Sequence, residues 1–489
     1  MRFCLSDDAR QLATLEEERS KRSPNRINHM FSELEKKLQD VRARLESKDL
    51  DEWGRHTYST NPAASIPKYI RRSVNAEMCT GAWAKFMEIL AEFSGLTDAC
   101  EKGHFQSLHL CEAPGGFVSA LNHYLQTNYE HSFVTISSHQ EKCSLEQETK
   151  ENDVKSERSF KNEVFSYTWL WNATSLKDLS SVYGENFIQS SNAHWDYGPE
   201  ADGNIMNVNN IRHFWDKGKQ IGGYDLVTAD GSVDCSKNWS EQECDIFTLK
   251  ACEVFTAVGA LKEGGNLVLK MFTFFRAHSR GLLCFLKTSF HQLYAFKPEC
   301  SKPGNGEVYL ICLRKTASAS VDEKLLEMAL NGRDDQRLSS FSASTKISPF
   351  DSNMDLKYFF SDLEAKSTLA YIDQIFEASQ AFALQNILTI EHNLSTKEED
   401  QDSERMHQER KQKALSFIAR CNIGVLPSSM KIGCKMVHRL TGEDAAFAAV
   451  TAGKGEDDDD IQGSIHYHFH QSRKKGKRKR KRKGKKKEG

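Results

Sequence analysis

The thirteen cysteines include no CxxC pair, and no Cys/His cluster stands at zinc spacing. That excludes a disulfide framework and a structural zinc, and points to a reducing compartment. No apolar run approaches the length needed to cross a bilayer, so no membrane partner is expected. The opening MRFCLSDDAR lacks the apolar core of a secretory leader, so a soluble intracellular protein is expected. There is no GxGxxG fingerprint, which makes a dinucleotide a poor fit as cofactor. A strong overall charge is also missing: the net charge is −2 over 489 residues. The balance is uneven, however. From Arg473 to the end stand 13 Lys/Arg and one Glu, leaving 53 basic against 67 acidic residues elsewhere. An acidic body repels phosphate, so any nucleic-acid contact needs a local basic groove.

What is present falls into four stretches. Residues 1–76 are charged and helical in pattern, as in MFSELEKKLQDVRARLESKDL. Over 77–317, strands alternate with helices. SLHL (107–110) is followed by the helical GGFVSALNHYL, and HSFVTISS (131–138) is a second strand candidate. After a charged insertion come GYDLVTADGS (223–232) and the helix FTLKACEVFTAVGALKEGG, expected to close on its glycine pair. GNLVLKMFTFF (265–275) is the next strand. HQLYAFKP and GEVYLICLRK form a final hairpin around ECSKPGNG. The expected fold is α/β, a Rossmann-like sheet, mostly parallel with one antiparallel strand, flanked by N- and C-terminal helical regions. Residues 318–450 are expected to be a helical extension, and 451–489 a disordered acidic and basic tail.

CEAPGGF (111–117) ends an apolar strand with an acid and a glycine turn. In open α/β sheets ligands sit outside the carboxyl ends of the strands. Gly115 and Gly116 would let a ligand approach the backbone. The helix from Phe117 would offer free N–H groups to a carboxylate, such as that of S-adenosyl-L-methionine. Glu112 would lie near its sulfonium or amino group. The plainer alternative is a tight strand-to-helix turn with no ligand.

Four charges add weight to the ligand reading. Asp230 and Lys270 each end a strand, Glu307 opens an antiparallel one, and Lys85 sits on a helix upstream. All four can overhang one cleft. An unpaired ammonium after NLVL is costly, and Asp230 and Glu307 are its natural partners. A structural ion-pair network is the competing reading. Lys68, Arg71, Arg72, Arg276 and Arg280, with Phe272, Phe274 and Phe275, are candidates for an RNA track. Each taken singly is more simply solvated charge or core.

With APGGF between its first two members, the set Lys85, Asp230, Lys270 and Glu307 resembles the Lys-Asp-Lys-Glu tetrad of FtsJ-like ribose 2′-O-methyltransferases. NAEMCTGAWAKFMEIL, LCEAPGGFVSALNHYL, VLKMFTFF and SKPGNGEVYLICL are most similar to the adrift-type cap methyltransferases of that group. The likeness is clear over about 77–317 and weaker to about 430. It implies an S-adenosylmethionine-dependent enzyme that methylates ribose in capped mRNA, at the second transcribed nucleotide. It implies Lys85, Asp230, Lys270 and Glu307 as catalytic residues, and no metal. Lys270 would accept the hydroxyl proton if its pKa falls, or stay charged and orient the hydroxyl. Many methyltransferases hold the cofactor ribose with an acid after the second strand. FVTISSH has none, leaving Thr135, Ser137 or Ser138, and Asp196 would approach the adenine. The family usually continues into a second, degenerate domain, where this chain has its charged tail. That basic tail suits nuclear import or nonspecific RNA binding, so nucleus and cytoplasm are expected. The alternatives are a methyltransferase of ribosomal or transfer RNA, which would resemble the core alone, and an inactive RNA-binding module, which would have lost the lysines or the glycine turn.

Overall fold

The computed structural model describes residues 1–5, 24–99, 105–129, 166–167, 187, 194–232, 241–321, 326, 356–365, 367–396 and 403–433. Four parallel strands form one side of the sheet: β2 (Ser107–Leu110), β3 (Ser166–Tyr167), β4 (Tyr224–Ala229) and β5 (Leu261–Met271). On the other side β7 (Val308–Lys315) pairs antiparallel with β5, and β6 (Phe290–Phe296) antiparallel with β7. A short β1 (Arg2–Cys4) pairs antiparallel with β6 and closes the order β1-β6-β7-β5-β4-β2-β3. The sheet is therefore α/β and mostly parallel, with two strands rather than one against the majority. β1 falls in a stretch expected to be helical. Three residues are too few to show a period, and only pairing identifies it: Leu5 N–H bonds Leu293 O at 2.7 Å, and the Met1 amine donates to Lys297 O at 3.0 Å. The candidate strand at 131–138 lies outside the described residues, and the strand beside β2 is β3.

Every residue of β2 and β4 is buried, as expected for strands covered on both faces. Alternation along the strands divides the core into two layers. Leu226, Val268, Tyr309 and Ile311 face helices α4 (Gly81–Glu92), α5 (Gly116–Asn128) and the C-terminal α11 (Ser403–Arg420) through Trp83, Phe86, Phe117 and Phe417. Val227, Leu267, Leu269, Leu310 and Cys312 face α1 (Pro24–Ala43), α7 (Gln242–Ala260), α8 (Ala277–Ser289) and α10 (Leu369–Ser395). On α1 the buried Ile27, Phe31, Leu34, Leu38 and Val41 recur at helical spacing, and Phe31 meets Phe376 of α10 edge-on at 5.1 Å. The other helices are α2 (Leu50–Ser59), α3 (Ile66–Ser73), α6 (Val208–Ile221) and α9 (Leu356–Ala365).

Two local details differ from expectation. α7 ends at Ala260 and the chain enters β5 directly, so the glycine pair lies inside the strand. There Gly264 has φ +76° beside a register shift, which takes β4's pairing from Leu261 to Asn266. This is a bulge rather than a helix cap. In β2, His109 is fully buried with its ring nitrogens 3.0 Å from Ser107 Oγ and 2.8 Å from Thr228 Oγ1. Burial pushes its pKa down to about 3, so the ring is neutral.

Candidate active site

The parallel strands finish together, and β7 starts at the same edge. Asp230 follows the last residue of β4, its N–H bonding Leu110 O at 3.2 Å across to β2. Lys270 is the penultimate residue of β5 and pairs in register with Tyr309 of β7. Lys270 Nζ lies 3.6 Å from Asp230 Oδ1 and 3.4 Å from Asp230 O. On the other flank Lys85 Nζ meets Glu307 Oε1 at 2.5 Å. α4 delivers Lys85: Thr80 caps the helix by accepting the Trp83 N–H, and the stacked rings of Phe86 and Phe117, 4.3 Å apart, fix it against α5. The structure thus brings all four residues together.

A fifth residue, absent from the expected set, links the two pairs. The Tyr309 hydroxyl lies 3.0 Å from Asp230 Oδ1 and 3.3 Å from Glu307 Oε1, its proton free to serve either carboxylate. Its signal was present: it stands two residues after Glu307, which directly precedes the strand, hence on the same side of the chain. Burial and then the two carboxylates push its pKa far up. Burial would lift Glu307's pKa, but Lys85 and Lys270 outweigh it and bring the carboxyl down to about 2. Burial likewise opposes charge on Lys270, yet Asp230, Glu307 and Glu253 prevail and hold its pKa above the ordinary value. Of the two roles open to Lys270, the protein's own field favours the ammonium.

The loops carrying these groups are braced from beneath. Glu253 of α7 accepts the Gly231 N–H at 3.0 Å, and Lys250 donates to Gly231 O at 2.7 Å while pairing with Glu253 at 2.7 Å. After Lys270, the Glu243 carboxylate takes Thr273 Oγ1 at 2.6 Å and the N–H groups of Phe275 and Arg276 at 3.1 and 2.8 Å. The sequence signal for the first brace was a lysine and a glutamate three apart in the otherwise uncharged run from Ile246 to Ala260.

The turn at 111–117 is tighter than expected. Its Ala113–Pro114 bond is cis, and Gly115, at φ +110°, precedes the first turn of α5. A Cβ on Gly115 would come within 2.5 Å of the Phe187 ring, and one on Gly116 within 2.8 Å of Thr80 Oγ1. At those atoms the room left by the glycines is taken by protein. Glu112 Oε1 itself accepts the Phe117 N–H at 2.5 Å, the amide expected to meet a ligand carboxylate. Burial, and next the repulsion of Asp230, raise Glu112's pKa well above the carboxylate range. Two crowded acids beside the strand ends are a donor set that a cationic ligand relieves, and a sulfonium cofactor fits that chemistry.

The remaining expected residues lie elsewhere or are engaged. Thr135 is outside the described residues. Asp196 pairs with His213 at 2.9 Å and with Lys217, and accepts the Gly198 N–H at 2.9 Å. Burial alone would raise its pKa, but those bonds leave it lowered. Of the RNA-track candidates, Arg71 bonds Cys79 O at 3.0 Å and Arg276 pairs with Glu35 at 3.0 Å. Arg280 is buried against Glu364 at 3.0 Å, and Phe274 and Phe275 are core. Among the described residues no three His, Cys, Asp or Glu side chains are grouped to hold a metal, and no helix is long and apolar enough to cross a membrane.

The sheet and helices that carry these strand ends have a methyltransferase fold. Residues 80–315 match the FtsJ-like methyltransferase family. Cap-specific mRNA (nucleoside-2′-O-)-methyltransferase 2 of Mus musculus is 38% identical over 61% of this chain and 36% of its own length. The Danio rerio and Drosophila melanogaster proteins of that name are 35% and 32% identical, over 61% and 60% of this chain and 36% and 38% of theirs. The chain thus spans a little over a third of the length of these relatives.

Proposed function

We propose that the chain is an S-adenosylmethionine-dependent 2′-O-methyltransferase of capped RNA, acting on the second transcribed nucleotide. The convergence of Lys85, Asp230, Lys270, Glu307 and Tyr309 beside Glu112 carries this reading, and the identity to the cap-specific relatives supports the choice of RNA. Bound S-adenosylmethionine would supply a methyl group on an electrophilic sulfonium. Glu112 and Asp230 would form the anionic wall on its cationic side. Lys270, as an ammonium, would orient a lone pair of the ribose hydroxyl and screen the charge building on that oxygen. Asp230, 3.6 Å from Lys270 Nζ, is the nearest carboxylate to receive the hydroxyl proton. Lys85, Glu307 and Tyr309 would hold Lys270 and Asp230 in place. The basic run from Arg473 suits work in the nucleus as well as the cytoplasm.

Mass spectrometry of a short capped RNA, incubated with the protein and S-adenosylmethionine, tests this. One added methyl on the second nucleotide's ribose is expected, and none on uncapped RNA. Equal methylation of uncapped RNA would move the substrate to another RNA class, and cofactor binding without transfer would make the domain an inactive module.

A further inference from the structure

A cation that none of the expected sites includes stands next to Gly306, one residue before Glu307. Arg42 closes the last turn of α1, one residue beyond the buried Val41. An ideal Cβ on Gly306 would lie 3.2 Å from Arg42 Nη2, 3.5 Å from Thr273 Cγ2 and 3.9 Å from Phe272 O. The guanidinium therefore lies against Gly306, the residue preceding Glu307, and Gly306 in turn packs near the two residues that follow β5 beyond Lys270. Among the described residues it has no hydrogen-bond or ion-pair partner. Its neighbours on α1 and in this corner are differently placed: Glu35 is paired with Arg276, and Glu307 with Lys85. The nearby Lys297 is buried and donates to Asn305 O and Glu307 O at 2.7 and 3.0 Å. Burial lowers Arg42's pKa with no carboxylate acting against it.

A half-buried guanidinium left without an anion is costly, unless an anion arrives with the ligand. Its planar fork matches the two oxygens of a phosphate better than a point charge would. In RNA a phosphate hangs on the carbon next to the one bearing the 2′-hydroxyl. A hydroxyl placed at Lys270 therefore brings a phosphate into this corner. We propose that Arg42 binds the backbone phosphate adjacent to the target ribose, so that a helix outside residues 80–315 completes the RNA site. This role rests on RNA being the substrate.

The test uses the full chain with Arg42→Gln and Arg42→Lys. Binding of a short capped single-stranded RNA is measured by fluorescence anisotropy over a salt series. S-adenosylmethionine binding, thermal unfolding and the KM for RNA are measured alongside. Arg42→Gln is expected to bind RNA about tenfold more weakly. Its plot of log affinity against log salt should be shallower by about 0.7, the loss of one single-strand phosphate contact. KM for RNA should rise with kcat little changed, and cofactor affinity should stay as in the wild type. Arg42→Lys keeps the charge, so reduced affinity with the wild-type slope is expected; it decides the matter if Arg42→Gln unfolds. Wild-type RNA affinity in both variants overturns the proposal. So does a loss confined to cofactor binding, which would assign the guanidinium to the methionine carboxylate instead. If the wild-type chain binds RNA but transfers no methyl, the functional reading fails while the slope still decides Arg42. If it binds no RNA, both fail.

Discussion

Two lysine–glutamate pairs lie within this domain, and their difference separates scaffold from site. Lys250 and Glu253 are sealed, with side-chain exposures of 1% and 0%, and their oxygens and protons go to each other and to the Gly231 backbone. Lys85 and Glu307 are also buried but less completely, at 14% and 9%, and they stand at the strand ends. Glu307 shares a hydroxyl with Asp230, and Asp230 in turn faces Lys270. The first pair is complete by itself. The second belongs to a chain of charges that runs through Tyr309 and Asp230 to Lys270, itself buried at the strand ends. Burial and charge alone do not mark a reactive group; what distinguishes it is capacity left over for something not yet bound.

The largest effect that sharpens this contrast is expected at Lys270. Lys270→Ala should lower methyl transfer by about a thousandfold or more, with cofactor affinity and melting temperature close to wild type. Lys270→Arg should fail as well, since the planar guanidinium is larger and cannot set a single N–H against the hydroxyl oxygen as the compact ammonium does. Transfer at the wild-type rate by either variant in a single-turnover assay would break the assignment.

Next come the glutamates of the two pairs. Glu253→Gln leaves Lys250 buried and uncompensated, and should cost about 3–5 kcal/mol in denaturant unfolding. Glu307→Gln should cost less stability, because Lys85 can reach water and Tyr309 can still donate, yet it should nearly abolish transfer. Equal stability losses for both would erase the distinction between brace and site.

The smallest expected effect concerns pH. His109 titrates near 3 when folded and near 6.5 when unfolded, so between those values the unfolded chain binds more protons. Stability should therefore fall as pH drops through that window, by a few kcal/mol. Glu307, at about 2 folded, adds a further loss as pH falls from about 4.5 to 2. His109→Gln should flatten the upper part of this acid slope while leaving the lower part. An unchanged profile would mean the ring is charged in the fold.

Much of the site was legible because strand ends are readable. An apolar run that stops at Asp230, or that carries Lys270 at its last turn outward, places a charge at the sheet's edge whatever the packing behind it. Glu307 followed from its strand's opposite direction. Tyr309 was legible by the same period of two and was passed over. The arginines were not legible. Arg276 and Arg280 look like solvated charge, but Glu35 on α1 and Glu364 on α9 neutralise them, and those partners lie more than 80 residues away in sequence. Arg42 looks like one more charge on an amphipathic helix.

The sequence by itself determined the alternation of strands and helices, the turn at Pro114 to Phe117 and the identity of the three charges at strand ends, because these depend on local period and on neighbours within a few residues. Tertiary structure alone decided which cations are already paired, that Glu112 caps its own helix, that β1 joins the sheet's far edge and that Lys270 keeps its proton. Those outcomes depend on distances between groups far apart in the chain and on how completely water is excluded around them, and neither is written in any short stretch of residues.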